Sequence, residues 1–138
     1  MILIKQVLGG NFSVPNVELL SEENASPDVQ EIFRQLKEKF GEVPAPFRAM
    51  AHHPKYLKLV LKKMEVVMGS DVLDLRTKLA IAFTVSTLNN CAFCISMYAK
   101  QLRDAGFTEQ QMIEILAVVD FVGAMNHFNN GMLVKPGM

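Results

Sequence analysis

Cys91 and Cys94 are the only two cysteines among the 138 residues of the chain, and they stand at positions i and i+3. On a helix these positions share a face, so both sulfur atoms point the same way. Asn89 and Asn90 lie just before them and indicate that one helix stops and another starts, which places Cys91 in the first turn of a helix. Unpaired backbone N–H groups and the helix dipole favour a thiolate there. The pair is therefore a candidate for reversible dithiol chemistry.

The same two cysteines allow two other interpretations. They are small hydrophobic side chains that a helical core can bury without any reactivity. They are also metal-ligand types, but zinc normally has four ligands. The chain contains only three histidines, and two of them, His52 and His53, are adjacent and so point apart on a helix. The residues therefore favour redox chemistry over an inert core, place a metal site last, and predict no cofactor.

Composition narrows the class of protein. Lys and Arg number 14 and so do Asp and Glu, so no basic excess points to nucleic acid. No run approaches the roughly 18 apolar residues of a membrane span, and the apolar start of the chain is too short for a signal peptide. We therefore expect a cytoplasmic protein with neither nucleic acid nor membrane as a partner. In that compartment a CxxC pair is more often redox-active or metal-binding than a structural disulfide.

Helix signals recur along the chain, and no alternating strand pattern is present. Ser26 and Pro27 start one helix and Gly41 ends it, while Thr108 and Gln111 form a capping box that starts the last one. We therefore predict an all-α fold of about six helices, with the CxxC pair at the N-terminus of a central helix. The predicted helices cover residues 26–40, 47–52, 54–68, 74–88 and 90–104 and a long segment from residue 108. We expect a single domain over residues 1–138, with an irregular arm at 1–25 and a flexible tail at 129–138.

Two of these helices are apolar over most of their circumference, around residues 79–85 and 112–122. A helix that is hydrophobic all round is buried. A monomer of this size needs less apolar surface than these two helices offer, so we predict self-association. The alternative is that both are simply central helices of one chain.

Three segments resemble the AhpD-like, carboxymuconolactone decarboxylase superfamily, and within it the branch of alkylhydroperoxidase and peroxidase-related proteins. The first segment, residues 79–94 (LAIAFTVSTLNNCAFC), holds the CxxC pair. The second, residues 43–54 (VPAPFRAMAHHP), is similar to the segment that those proteins carry ahead of the site. The third, residues 106–111 (GFTEQQ), resembles their turn after the CxxC helix.

The resemblance implies an AhpD-like helical fold, a homotrimer or homohexamer, and a thiol-dependent peroxidase of the peroxiredoxin type. In such an enzyme the cysteine pair reduces a hydroperoxide or a disulfide, forms a disulfide itself, and is re-reduced by a thiol partner. The full family motif also has a histidine four residues after the second cysteine and a glutamate twelve residues before the first, and these two form a proton relay. Tyr98 and Leu79 stand at those positions here. Tyrosine, with a reference pKa of about 10, is a poor base at neutral pH but can donate a hydrogen bond, and leucine can do neither.

Three explanations stay open for the loss of both the glutamate and the histidine of the family motif. In the first, dithiol chemistry persists and the helix N-terminus activates the sulfur, which favours Cys91 as the thiol of lower pKa. In the second, a base comes from elsewhere, with His127 on the last helix as the best candidate. In the third, peroxidase activity is weak or absent, and the chain is a non-catalytic oligomer that binds a ligand or relays electrons.

A lactone decarboxylase-like or isomerase-like enzyme on the same fold is a further alternative, although that branch generally lacks the CxxC pair. The candidate catalytic residues are therefore Cys91, Cys94, Tyr98 and His127. Tyr98 lies at i+4 from Cys94 and shares the face of the sulfurs, but a core tyrosine bonded to a backbone carbonyl is an equal alternative. For His127, the alternative is a polar residue near the end of a helix.

Overall fold

The computed structural model describes residues 15–133 and 135–137, and within these residues the secondary structure consists of six α-helices without a strand. We label them α1 (Pro27–Phe40), α2 (Ala45–Met50), α3 (Pro54–Gly69), α4 (Leu75–Leu88), α5 (Ala92–Asp104) and α6 (Glu109–Gly131). The predicted all-α class is confirmed, and the CxxC pair lies at the start of α5. None of these six helices is long and apolar enough to cross a membrane.

The first helix begins and ends where the sequence predicts, although one of its caps works differently. Pro27 occupies the first helical position, and Gly41 ends α1 in the left-handed conformation with φ 82°. The Ser26 side chain makes no capping hydrogen bond. Instead, the side-chain amide of Gln30 donates to the carbonyls of Glu22 and Ala25 at 3.0 and 3.1 Å. A side chain within α1 therefore stabilises the segment that precedes the helix.

The chain divides into two compact units, and the first extends to Val67. The core of this unit joins three side chains of α1 to Leu57 of α3, and none of them is more than 4% exposed: Val29, Phe33, Leu36 and Leu57. Of the predicted N-terminal arm, residues 1–14 lie outside the described residues, and residues 15–25 contain neither helix nor strand. Residues 15–25 are held against α2 by a hydrogen bond, because Arg48 Nε donates to the Leu20 carbonyl at 3.1 Å.

The second unit begins at Met68 and holds the cysteine pair. Within it, α4 packs against both α5 and α6. Leu79 and Phe83 of α4 meet Leu102 of α5 and Met112 of α6, and each of these four side chains is at most 6% exposed. Burial of side chains of this size stabilises a fold by about 1.5–3 kcal/mol each. One apolar layer therefore holds the three helices together. The expectation of a single domain over the whole chain stays a prediction.

Side chains cap the N-termini of two of these three helices. The Asp74 carboxylate accepts from the Thr77 N–H at 2.9 Å at the start of α4, and its pKa is lowered, chiefly by the hydrogen bond from the Thr77 hydroxyl. At the start of α6, Thr108 and Gln111 exchange the two hydrogen bonds of a capping box. The predicted capping box is thereby confirmed.

The last helix extends further than the sequence predicts. We expected the flexible tail to start at residue 129, but α6 continues through Gly131. The N–H of Met132 still bonds to the Phe128 carbonyl at 3.0 Å. The helix therefore ends at Gly131, three residues into the predicted tail. Of the residues beyond Leu133, only 135–137 are described, and they contain neither helix nor strand.

Candidate functional site

The turn that joins α4 to α5 fixes the backbone of the first cysteine. Asn90 adopts the left-handed conformation with φ 55°. Its N–H bonds to the Thr87 carbonyl at 3.1 Å, and the N–H of Cys91 bonds to the Ser86 carbonyl, also at 3.1 Å. These two bonds form the Schellman motif that closes many helices. Cys91 is therefore held by the last turn of α4 before α5 begins.

Cys91 is at the same time the N-cap of α5. Its carbonyl accepts from the Ile95 N–H at 2.8 Å, and its sulfur accepts from the Cys94 N–H at 3.4 Å. The sulfur thus takes the place that a serine or aspartate oxygen takes at other helix starts. We predicted Cys91 in the first turn, and it lies one residue before that turn, where its sulfur faces an N–H that has no partner within the helix.

The second cysteine lies within bonding reach of the first. Cys91 and Cys94 form a disulfide, and their Cα atoms are 5.3 Å apart, inside the usual range for such bonds. Both residues are half-buried, while Ala92 and Phe93 between them are exposed. Phe93 keeps 47% of its surface accessible. The two cysteines are therefore neither sealed in the core nor fully on the surface, and an exposed aromatic residue lies between them in the chain.

The two residues that depart from the family motif meet in one apolar cluster. Leu79, at the glutamate position, is 2% exposed and belongs to the cluster that joins α4, α5 and α6. Tyr98, at the histidine position, is half-buried and packs against that same cluster. Hydrophobic packing therefore occupies the place where the full motif carries a proton relay. Leu79 offers neither an acid nor a base, and Tyr98 offers a phenol in place of an imidazole.

The Tyr98 hydroxyl has no hydrogen-bond partner among the described residues, and it is not a buried polar atom. The expected alternative, a hydroxyl bonded to a backbone carbonyl, is therefore not what the structure contains. Since the ring packs against the core while the hydroxyl keeps contact with solvent, Tyr98 has an apolar body and a free polar tip.

The structure does not join His127 to the cysteines. The residue is exposed on α6, one turn beyond the half-buried Gly123, and no hydrogen bond links it to either sulfur among the described residues. The other two histidines make hydrogen bonds with backbone groups. His53 Nδ1 accepts from the Tyr56 N–H at 3.2 Å at the start of α3, and His52 Nε2 lies 2.7 Å from the Glu18 carbonyl oxygen.

Metal binding finds no support in the described part of the chain, where no group of three or more His, Cys, Asp or Glu is placed to hold an ion. One residue that positions the site was not predicted from the sequence. Ser86, whose carbonyl holds the N–H of Cys91, is buried, and its hydroxyl donates to the Ala82 carbonyl at 2.7 Å. The sequence could indicate this role only through the position of Ser86, five residues before Cys91. That spacing predicts the hydrogen bond only if Asn90 is known to adopt the left-handed conformation.

Replacement of Asn90 by alanine is expected to lower the free energy of unfolding by about 1 kcal/mol, because a Cβ-bearing residue other than Asn or Asp is strained in the left-handed region. Asn90→Gly should leave stability unchanged or raise it. Asn89→Ala is the matched control, because Asn89 is adjacent, also exposed, and has φ −86°. Urea unfolding of the three variants measures the difference. Equal losses at positions 89 and 90 would contradict the role of the left-handed turn.

Known proteins share both the sequence pattern and the fold. The model of the family described as "Carboxymuconolactone decarboxylase family" matches residues 54–134. Alkyl hydroperoxide reductase AhpD of Mycobacteroides abscessus is 39% identical over 44 residues, which are 32% of this chain and only 25% of that protein. The crystal structure of the alkylhydroperoxidase AhpD core from Rhodospirillum rubrum superposes with a TM-score of 0.81 at 27% identity, covering 91% of this chain and 96% of that one. With six helices in its described part, a CxxC pair at a helix start and this match over more than half of its length, the chain belongs to the carboxymuconolactone decarboxylase family, in its AhpD-like part.

Proposed function

We propose that this protein is a CxxC dithiol oxidoreductase of the AhpD-like type, which reduces hydroperoxides or disulfides through a Cys91–Cys94 disulfide. The observation that carries the proposal is the Cys91 sulfur at the N-cap of α5, where it accepts the N–H of its partner Cys94. A helix N-terminus stabilises negative charge and so favours the thiolate, the nucleophilic form of cysteine. The names of the similar proteins, alkyl hydroperoxide reductase and alkylhydroperoxidase, support the same chemistry.

The reaction follows from the positions of the two sulfurs. The Cys91 thiolate attacks the terminal oxygen of a hydroperoxide and becomes a sulfenic acid as the O–O bond breaks. The Cys94 thiol condenses with the sulfenic acid, water leaves, and the Cys91–Cys94 disulfide forms. A thiol reductant then reopens the disulfide by exchange. With Cα atoms 5.3 Å apart, the second sulfur reaches the first without backbone movement, so disulfide formation competes well with overoxidation.

Activation by the helix N-terminus replaces the family relay in this proposal. Leu79 is buried in an apolar cluster and holds no proton. His127 remains the candidate for a base from another element, but it is exposed and makes no hydrogen bond to either cysteine. The N-cap contact between the Cys91 sulfur and the Cys94 N–H is the only charge-stabilising contact to a sulfur within the described residues.

A second candidate function is favoured by the same apolar cluster. With Leu79 and Tyr98 in place of the relay, the chain can be an oligomer that binds a ligand or relays electrons through its disulfide without peroxidase turnover. A lactone decarboxylase-like enzyme is the weaker candidate, because that chemistry gives no role to an intact CxxC pair.

The test is reductant-dependent consumption of cumene hydroperoxide and of a chromogenic aromatic disulfide by the purified protein, with the Cys91→Ser/Cys94→Ser double variant as the control. Turnover of either substrate that the double variant lacks would support the proposal. A folded, reduced wild-type protein with no more turnover than the double variant would overturn it and leave the binding candidate. Because the cycle needs a thiol reductant, a cytoplasmic location is part of the proposal.

We also propose that the working form is a homo-oligomer, a trimer or hexamer as the family resemblance implies. Support comes from a seam of exposed apolar residues on the second half of α6 and its C-cap residue, spaced alternately by three and four residues as in a coiled coil. Each of these side chains is between 42% and 66% exposed: Val118, Phe121, Met125, Phe128 and Met132. Each of the five side chains exposes on the order of 100 Å². Two copies of the seam would therefore bury roughly 1,000 Å² between them, which is near the lower limit for a specific interface.

Light scattering after gel filtration tests the seam. Phe121→Glu places a charge in the middle of it and is expected to reduce the mass to that of the monomer. Asn130→Glu adds the same charge on the opposite face of the same helix and should leave the mass unchanged. A wild-type monomer, or a Phe121→Glu variant with unchanged mass, would contradict the seam as the interface.

A further inference from the structure

Tyr98 lies on the same face of α5 as the cysteine pair. It lies on α5, one helical turn after Cys94 and two turns after Cys91, so all three residues share one face of the helix. Long side chains on a helix point back toward its N-terminus, which here is the cysteine end. The ring packs against the apolar cluster, and the hydroxyl has no partner within the described residues. A hydroxyl without a partner among the described residues therefore lies on the same face of α5 as the two cysteines.

Reduction of an alkyl hydroperoxide needs a proton that reduction of a disulfide does not need. When a thiolate attacks the terminal oxygen, an alkoxide leaves. An alkoxide is a strong base, so it must be protonated as it leaves at neutral pH. When a thiolate attacks a disulfide, a thiolate leaves, which is stable as an anion. In the full family motif a glutamate and a histidine handle the protons. Leu79 cannot do so here, and the other residues of the cluster beneath Tyr98 are apolar as well.

We propose that Tyr98 is the proton donor to the leaving oxygen of an alkyl hydroperoxide, an assignment that rests on the proposed function. The S–O bond forms as the O–O bond breaks, the sulfur loses two electrons to the peroxide, and the alkoxide takes the phenolic proton of Tyr98 to leave as an alcohol. The phenolate regains its proton from water. A phenol is both a donor and an acceptor, and it keeps its proton at neutral pH, so it suits this task better than that of a base.

The assignment separates two classes of substrate at one site. Alkyl hydroperoxides depend on Tyr98, because their leaving group must be protonated. Peracids and activated disulfides do not, because a carboxylate or an aromatic thiolate leaves without a proton. A purely structural role for Tyr98 would affect all three classes alike. The dependence of the rate on the leaving group is therefore the readout that distinguishes proton donation from packing.

The experiment is single-turnover oxidation of the reduced protein by cumene hydroperoxide, perbenzoic acid and a chromogenic aromatic disulfide. Tyr98→Phe removes only the hydroxyl and keeps the ring that packs on the cluster. We expect it to slow the reaction with cumene hydroperoxide by about 100-fold or more, the usual contribution of a positioned proton donor. The reactions with perbenzoic acid and the disulfide should be unchanged. Tyr56→Phe is the matched control, because Tyr56 is the only other tyrosine in the chain and lies on α3.

Two results would overturn the assignment. An equal loss with all three substrates would make Tyr98 a packing residue, and an unchanged rate with cumene hydroperoxide would place the donor elsewhere. Tyr98→His keeps a donor at this position and is expected to recover part of the rate that Tyr98→Phe loses. A wild-type protein that reacts with none of the three substrates would overturn the proposed function itself, and with it the role of Tyr98.

Discussion

Serine in place of Cys94 is expected to leave a single round of hydroperoxide reduction and to slow reductant-dependent turnover strongly, whereas serine in place of Cys91 is expected to remove both. Cys91 caps α5, and its sulfur accepts the Cys94 N–H, so it is the sulfur that the helix N-terminus favours as a thiolate. A hydroxyl at position 94 cannot condense with a sulfenic acid. The oxidised Cys91 of that variant therefore has no second thiol in the chain with which to condense, and only the external reductant can reduce it.

The measurement is the number of equivalents of cumene hydroperoxide consumed without reductant, followed by the steady-state rate with reductant. Ala92→Ser serves as the control, because it adds a hydroxyl at the exposed position next to Cys91 and keeps both thiols. One equivalent consumed by Cys91→Ser and none by Cys94→Ser would make Cys94 the attacking thiol. Full cycling by either single variant would rule out the dithiol mechanism.

Local signals predict the helix boundaries well where a capping residue has one dominant role. Gly41 and the Thr108–Gln111 pair each satisfy unpaired backbone groups at a helix end, and the structure contains both caps where the sequence places them. Ser26 occupies the N-cap position that the sequence predicts, but its side chain makes no capping hydrogen bond. Pro27, whose ring suits the first helical position, accounts for that boundary instead.

The end of α6 could not be predicted from its residues. Asn129, Asn130 and Gly131 have low helix propensities, so local preference indicates a stop before them. Extension of an existing helix, however, adds one hydrogen bond for each residue that is fixed, while only the first turn is unfavourable. A long helix therefore continues through weak formers, and the prediction of a tail from residue 129 was wrong for its first three residues.

The chemistry of the site could be predicted only in part. The cysteine spacing indicates the dithiol pair, and Asn90 indicates the helix restart, because both are local patterns. That Leu79 and Tyr98 share one cluster is a tertiary fact, since it depends on how α4 packs against α5. The sequence records two separate departures from a motif. In the structure the two residues belong to one apolar cluster, in which Tyr98 packs against the layer that contains Leu79.

Glutamate in place of Leu79 is therefore expected to unfold much of the protein rather than restore a relay. Leu79 is 2% exposed and belongs to an apolar cluster that joins three helices. Leu79→Ala, which only leaves a cavity, should lower the free energy of unfolding by about 2–5 kcal/mol. Leu79→Glu should lower it further at neutral pH, because an unpaired charge in an apolar site adds a desolvation penalty.

The pH dependence of Leu79→Glu identifies the cause of its instability. A glutamate in the unfolded chain ionises near pH 4.3, and burial raises the pKa of the folded state above that value. The unfolded state therefore binds fewer protons over this range, so the free energy of unfolding should fall as the pH rises above about 4.3 and recover as it is lowered. Urea unfolding between pH 4 and pH 8 measures this slope.

Leu88→Glu is the matched control, because Leu88 lies on the same helix and is 59% exposed. It should show neither the loss nor the slope. A stable Leu79→Glu variant with faster hydroperoxide turnover would mean that the site still accommodates the family's glutamate and that its absence is incidental. An unstable variant with the expected slope would mean that packing now holds the place of the relay. Any catalysis by Cys91 and Cys94 must then draw its activation from the backbone of α5 and its protons from residues other than the family pair.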